Sequence, residues 1–133
     1  MTGSPYVENV LGHFNSNDET FVTSQIEKAV NTSSPSEKLT YLIEISGVAE
    51  RMGSAFLLFM NPDRFTVLDR KAWGVLHESG YLPDEMPNSL TVEDYLLYLG
   101  ACWAIANEYD VNLRTLDRAL WVLDIKDENI ADD

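Results

Sequence analysis

The stretch Leu42-Ile43-Glu44-Ile45-Ser46-Gly47-Val48-Ala49-Glu50-Arg51-Met52-Gly53-Ser54-Ala55-Phe56 decides how this chain is read. Leu42, Ile45, Val48, Met52 and Phe56 recur at intervals of three and four, the spacing that lines side chains along one helix face. Gly47 interrupts the run, and a residue without Cβ takes turn conformations closed to others. The spacing therefore predicts two short helices meeting at a tight turn. Two uses of such a hairpin are open. It can be a plain packing motif. It can also present backbone N–H groups at the start of its second helix to a phosphate, where the helix dipole favours an anion.

Outward from the hairpin the same periodicity continues. Upstream, Asn17 or Asp18 can cap a helix running to about Val30, with Phe21, Val22, Ile26, Ala29 and Val30 as its apolar stripe. Asn31 to Ser34 ends it, and Pro35 suits the first turn of the next helix, which carries Leu39, Leu42, Ile43 and Ile45 until Gly47 breaks it. The second hairpin helix runs from about Glu50 to Met60, where Asn61-Pro62 stops it. A fourth covers roughly Thr66 to Glu78 and ends at Ser79-Gly80. After a loop with Pro83 and Pro87, Thr91-Val92-Glu93-Asp94 reads as a helix start. That fifth helix reaches about Tyr109 and buries Leu96, Leu99, Cys102, Trp103 and Ala106. The last, about Leu113 to Leu123, carries Leu116, Leu120, Trp121 and Leu123, before a polar acidic tail from Asp127. Strand signals are nearly absent. The expectation is an all-α domain over residues 1–133, a compact bundle of about six helices around a central helix-hairpin-helix. Residues 39–76 hold the hairpin and the helix after it; 1–16 and 126–133 are expected to be less ordered.

Composition bounds the function. The chain has 133 residues, 45% of them hydrophobic, enough for one core and too rich in apolar groups for global disorder. The longest apolar run, Ala55 to Met60, is far short of the roughly 20 residues that span a bilayer. Met1 to Val10 lacks the basic start and apolar core of a signal peptide. Cys102 stands alone, so no disulfide framework exists and a reducing, cytoplasmic setting is expected. Twenty-two acidic against nine basic residues give −13, which opposes non-specific attraction to phosphate. The imbalance is uneven: residues 1–60 carry −4, residues 61–80 zero and residues 81–133 −9. The one basic cluster, Arg64, Arg70 and Lys71, lies in the neutral middle. The acidity reads equally as a solubilising surface or as an adaptation to high internal salt.

After the hairpin comes Asn61-Pro62-Asp63-Arg64-Phe65-Thr66-Val67-Leu68-Asp69-Arg70-Lys71-Ala72-Trp73. An apolar pair followed by an aspartate that opens a helix, about 18 residues past Arg51, resembles the corresponding element of the helix-hairpin-helix base-excision DNA glycosylases. The resemblance covers about Leu39 to Leu76, under a third of the chain. It implies that Asp69 is the carboxylate that stabilises the oxocarbenium-like sugar as the base departs, or that helps activate the attacking water. It also implies that Gly47, Val48, Ala49 and Arg51 contact phosphate, with Arg64, Arg70 and Lys71 in support. Asp69 can equally serve as a helix cap, and both uses are compatible.

The chain departs from that family in ways that matter. Lyase-competent members carry a lysine where Arg51 stands, and a guanidinium cannot form a Schiff base. A β-lyase is therefore not expected, whereas a monofunctional glycosylase uses water. Ala49 replaces the usual second hairpin glycine, Gly53 sits where alanine is usual, and members are normally much longer. No cysteine cluster exists for an iron–sulfur site, and no cofactor is expected. Elsewhere, His13 and His77 lack metal-ligand spacing, Cys102 reads as packed, and Trp73, Trp103 and Trp121 read as core. Arg114, Asp117 and Arg118 read as a salt-bridged helix face or as partners for the Asp69 helix or the Pro62 loop. Two functions stand: binding to DNA with monofunctional base excision, or a catalytically silent domain that binds a basic protein or mimics DNA. No membrane partner is expected.

Overall fold

After the first, each helix begins where a side chain can accept the first unpaired N–H groups, or where a turn delivers the chain. The computed structural model describes residues 19–132, with side chains described through residue 123. Among these residues the chain is all-α, with six helices: α1 Glu19–Asn31, α2 Pro35–Ile43, α3 Glu50–Met60, α4 Arg70–Glu78, α5 Val92–Tyr109 and α6 Leu113–Asp132. Ser34 caps α2 by accepting from Glu37 N–H, with Pro35 in the first turn. Asp69 caps α4 through Ala72 N–H, and Thr91 with Asp94 forms a capping box on α5. Gly80, at φ +87, ends α4 in the left-handed conformation, with Tyr81 N–H bonded to Leu76 C=O.

α5 is the central element, packed against α2, α3 and α6, while α1 packs on α2, α2 on α3, and α4 on α6. Its buried residues are Tyr95, Tyr98, Leu99, Cys102, Ile105 and Ala106. Trp73 of α4 stacks on Tyr98 at 5.8 Å between ring centroids and 6° between planes, and its indole N–H donates to Asp84 C=O. These rings form the middle of the core, with Leu39, Leu42, Leu57, Leu68 and Leu76 around them.

Several sequence expectations change: α2 ends at Ile43, short of Ile45, and Leu96 and Trp103 of α5 are half-buried rather than buried. The buried residues of α1 are Gln25 and Ala29, while Phe21, Ile26 and Val30 are exposed. Gln25 is drawn inward because its amide donates to Tyr41 C=O at 3.0 Å and to Glu44 Oε2 at 2.6 Å. The fourth helix starts at Arg70, not near Thr66. Residues 65–69 lie outside any helix, since Leu68 N–H donates to Ser54 Oγ instead of entering one. The last helix continues to Asp132, well past Leu123. The expectations for residues 1–16 and for a cap at Asn17 or Asp18 lie outside the described residues.

Candidate functional site

The hairpin turn is shaped by short-range hydrogen bonds. Ile45 N–H bonds Leu42 C=O, and Val48 N–H bonds Ile45 C=O, which folds the chain back on itself. Gly47, at φ +89, supplies the left-handed residue that this reversal needs. Val48 is buried and anchors the turn in the core; its N–H is engaged, so its part in any phosphate contact is one of positioning. Gly47, Ala49 and Arg51 are exposed. Ala49 is the N-cap of α3 and offers no side-chain acceptor, so the N–H groups of the first turn are not capped by it. Glu50 in that turn supplies a competing negative charge.

The non-helical segment after α3 is fixed from both sides. On one side Ser54 Oγ accepts from Leu68 N–H at 2.9 Å while donating to Arg51 C=O, and Arg51 Nε reaches Leu68 C=O at 3.4 Å. On the other, Tyr95 Oη donates to Thr66 C=O at 3.1 Å and Trp103 Nε1 to Arg64 C=O at 3.0 Å. The segment therefore delivers Asp69 half-buried, extended in backbone, at the start of α4. Arg51 and Asp69, 18 residues apart, are thus held on adjoining segments.

A residue outside the hairpin joins them. Asp117, in the second turn of α6, is pushed above the usual carboxylate range by burial first and then by the charge of Asp69. It lines a cavity of about 360 Å3 together with Phe59, Pro62, Phe65, Arg114 and Arg118. Tyr98 of α5 feels both carboxyl groups: burial drives its phenol far above its ordinary range, and Cys102, Asp117 and Asp69 act in the same direction. Tyr98 Oη is fully buried beside the Cys102 thiol, and the interaction between the two raises the phenol and lowers the thiol. The sequence pattern Arg114-x-x-Asp117-Arg118 hinted at this face without showing which way it turns.

The basic cluster does not gather at one point. Arg64 lies over the Phe65 ring at 6.0 Å and borders a separate hollow with Lys38, Met60 and Asn61. Arg70 is exposed in the first turn of α4, beside Asp69. Lys71 Nζ sits 4.7 Å above the Trp121 ring of α6. Of the tryptophans, Trp73 is core, Trp103 half-buried and Trp121 exposed. His77 Nδ1 lies 3.0 Å from Leu82 C=O, and His13 lies outside the described residues. Cys102 is buried and its thiol is pushed up to about 12 by burial, which disfavours the nucleophilic thiolate. No cluster of three or more His, Cys, Asp or Glu suited to a metal occurs among the described residues, nor does any helix long and apolar enough to cross a membrane. Compared with protein-family models, curated proteins and solved structures, the chain finds no match.

Proposed function

We propose that this chain binds DNA through the α2–α3 hairpin and cleaves the N-glycosidic bond of a base without a covalent protein–DNA intermediate. One juxtaposition carries the reading: Arg51 is bonded to the carbonyl of Leu68, the residue before the half-buried Asp69, so hairpin and carboxylate share one surface. As the C1′–N bond breaks, its electron pair leaves with the base and positive charge develops on the sugar. Asp69 stabilises that charge and takes a proton from the water that adds to C1′. Arg51 remains cationic and holds the strand; it cannot be the nucleophile.

Fluorescence anisotropy with duplex DNA tests the binding. Affinity should fall steeply with salt, and Arg70→Glu with Lys71→Glu should flatten the slope. Base release should leave an abasic strand that breaks only with alkali, and borohydride should trap no adduct. Asp69→Asn should abolish release while the domain stays folded, since Asn caps a helix nearly as well as Asp. An adduct, or undiminished release by that variant, overturns the mechanism. The net charge of −13 favours a second reading, a catalytically silent domain facing a basic protein. Absence of DNA binding at about 50 mM salt, where phosphate contacts are strong, would select it.

A further inference from the structure

The cavity between the end of α3, the 61–66 loop and the start of α6 holds about 360 Å3 and has two unlike walls. One wall is apolar, made by Leu58, Phe59 and Pro62. The other is the charged face of α6, where Arg114, Asp117 and Arg118 stand at helical spacing and turn the same way. Phe59 is 84% exposed, more than any other large hydrophobic residue described. A ring so placed gives up its burial and is open to stacking on a flat partner. Arg114 and Arg118 are exposed as well, and neither makes a hydrogen bond or an ion pair with a described residue, Asp117 included. The chain carries 22 acidic residues against nine basic ones, so a shortage of carboxylates does not explain two neighbouring guanidinia without partners. With Asp117 counted, the α6 wall still bears one net positive charge in a chain of −13, which favours an anion here over the surface around it. Anion binding does not fall to the helix N-terminus itself, where Asn112 Oδ1 already accepts from Thr115 N–H.

We propose that this cavity binds a nucleoside monophosphate, either free or as the phosphorylated 5′ end of a strand. The base stacks on Phe59 against the apolar wall, as bases do on exposed aromatic rings. The phosphate takes the N–H groups of Arg114 and Arg118, whose planar forks match its oxygens. Asp117 accepts an amino or imino N–H from the edge of the ring, which is what favours a nucleobase over a plain aryl group. The volume suits such a ligand, near the small end of the about 300–1,000 Å3 typical of ligand pockets. A compound with only a ring or only a phosphate engages one wall, so tight binding requires both groups. The site lies apart from the Gly47 turn and stands whether or not the hairpin binds a duplex.

The test is calorimetric titration of the full chain with adenosine, guanosine, cytidine and uridine 5′-monophosphates. The parent nucleosides, ribose 5-phosphate, phenyl phosphate and inorganic phosphate serve as partial ligands. At least one nucleotide should bind about 10-fold or more tightly than its nucleoside and than ribose 5-phosphate. Phe59→Ala should cost about 10-fold with that nucleotide and nothing with ribose 5-phosphate. Arg114→Gln and Arg118→Gln should each cost about 10-fold with the nucleotide and nothing with the nucleoside. Lys28→Gln removes the same charge beside Tyr41 and should change neither. All four side chains are exposed, so the variants should keep the wild-type helical spectrum. A short 5′-phosphorylated oligonucleotide separates the two sources: tighter binding than the free nucleotide assigns the site to a strand end, weaker binding to the free compound. Full affinity in Phe59→Ala, or a loss as large in Lys28→Gln as in the arginine variants, overturns the inference. So does phenyl phosphate binding as tightly as the nucleotides, or no nucleotide binding more tightly than inorganic phosphate.

Discussion

Asp117 joins the interior of this molecule to its pH response. In the folded chain it keeps its proton to higher pH than in the unfolded chain, where it titrates near the ordinary value of about 3.9. Between those two values the folded state binds more protons than the unfolded one, so stability falls as pH rises, and above the folded value the loss is complete. An asparagine cannot ionise. The difference in melting temperature between Asp117→Asn and the wild type should therefore be near zero at about pH 3 and should grow to a positive plateau above the Asp117 titration. Thermal melts across that range check it, and a variant less stable than the wild type at neutral pH contradicts it. Asp69 is legible from sequence, because a capping aspartate acts on a backbone N–H three residues away. Asp117 is not, since what raises it lies on another helix.

The helical hairpin is the element whose packing can be tested most directly. Gly53, in the first half of α3, sits where an added Cβ would come within 2.6 Å of Leu39 Cδ1 and 3.4 Å of Ile43 Cγ2 on α2. Leu39 is fully buried, so its methyl has nowhere cheap to move. An alanine gains up to about 1 kcal/mol of helix propensity. Overpacking a filled core costs about 1–3 kcal/mol, and here it wins. Gly53→Ala should destabilise the domain by about 1 kcal/mol net. Gly100 is exposed on α5 with nothing within 4 Å of such a Cβ, so Gly100→Ala should stabilise by about 0.5–1 kcal/mol. Urea unfolding of the pair separates the two effects, and equal shifts in one direction would contradict the close approach of α2 and α3.

Across the whole molecule the net charge of −13 sets the response to salt. Acidic side chains on one small surface repel one another, and screening relieves that repulsion. Raising potassium chloride from about 0.05 to 0.5 M should raise the melting temperature by several degrees, what about 1 kcal/mol gives a domain of this size. On the proposed reading, the same change should weaken duplex binding, because contacts to phosphate would release counterions. Stability and affinity thus move oppositely with salt, and a melting temperature that falls would mean that attractive pairs dominate the surface.

What the sequence determined by itself is the set of helices and most of their ends. Pro35, Asn61-Pro62, Asp69, Ser79-Gly80 and the Thr91–Asp94 box act through backbone bonds a few residues away, so their signals are local. Tertiary structure decided which faces are covered. It buries Gln25 and leaves Phe21, Ile26 and Val30 exposed, because a clamp from Tyr41 and Glu44 outweighs the apolar pattern of α1. It draws residues 65–69 out of a helix, because Ser54 and Tyr95 take the backbone groups that a helix would use. It also brings Asp117 within electrostatic reach of Asp69 and Tyr98. That meeting depends on how α4, α5 and α6 pack, and packing between elements far apart in the chain is governed by shape and burial, which leave no short-range pattern to read.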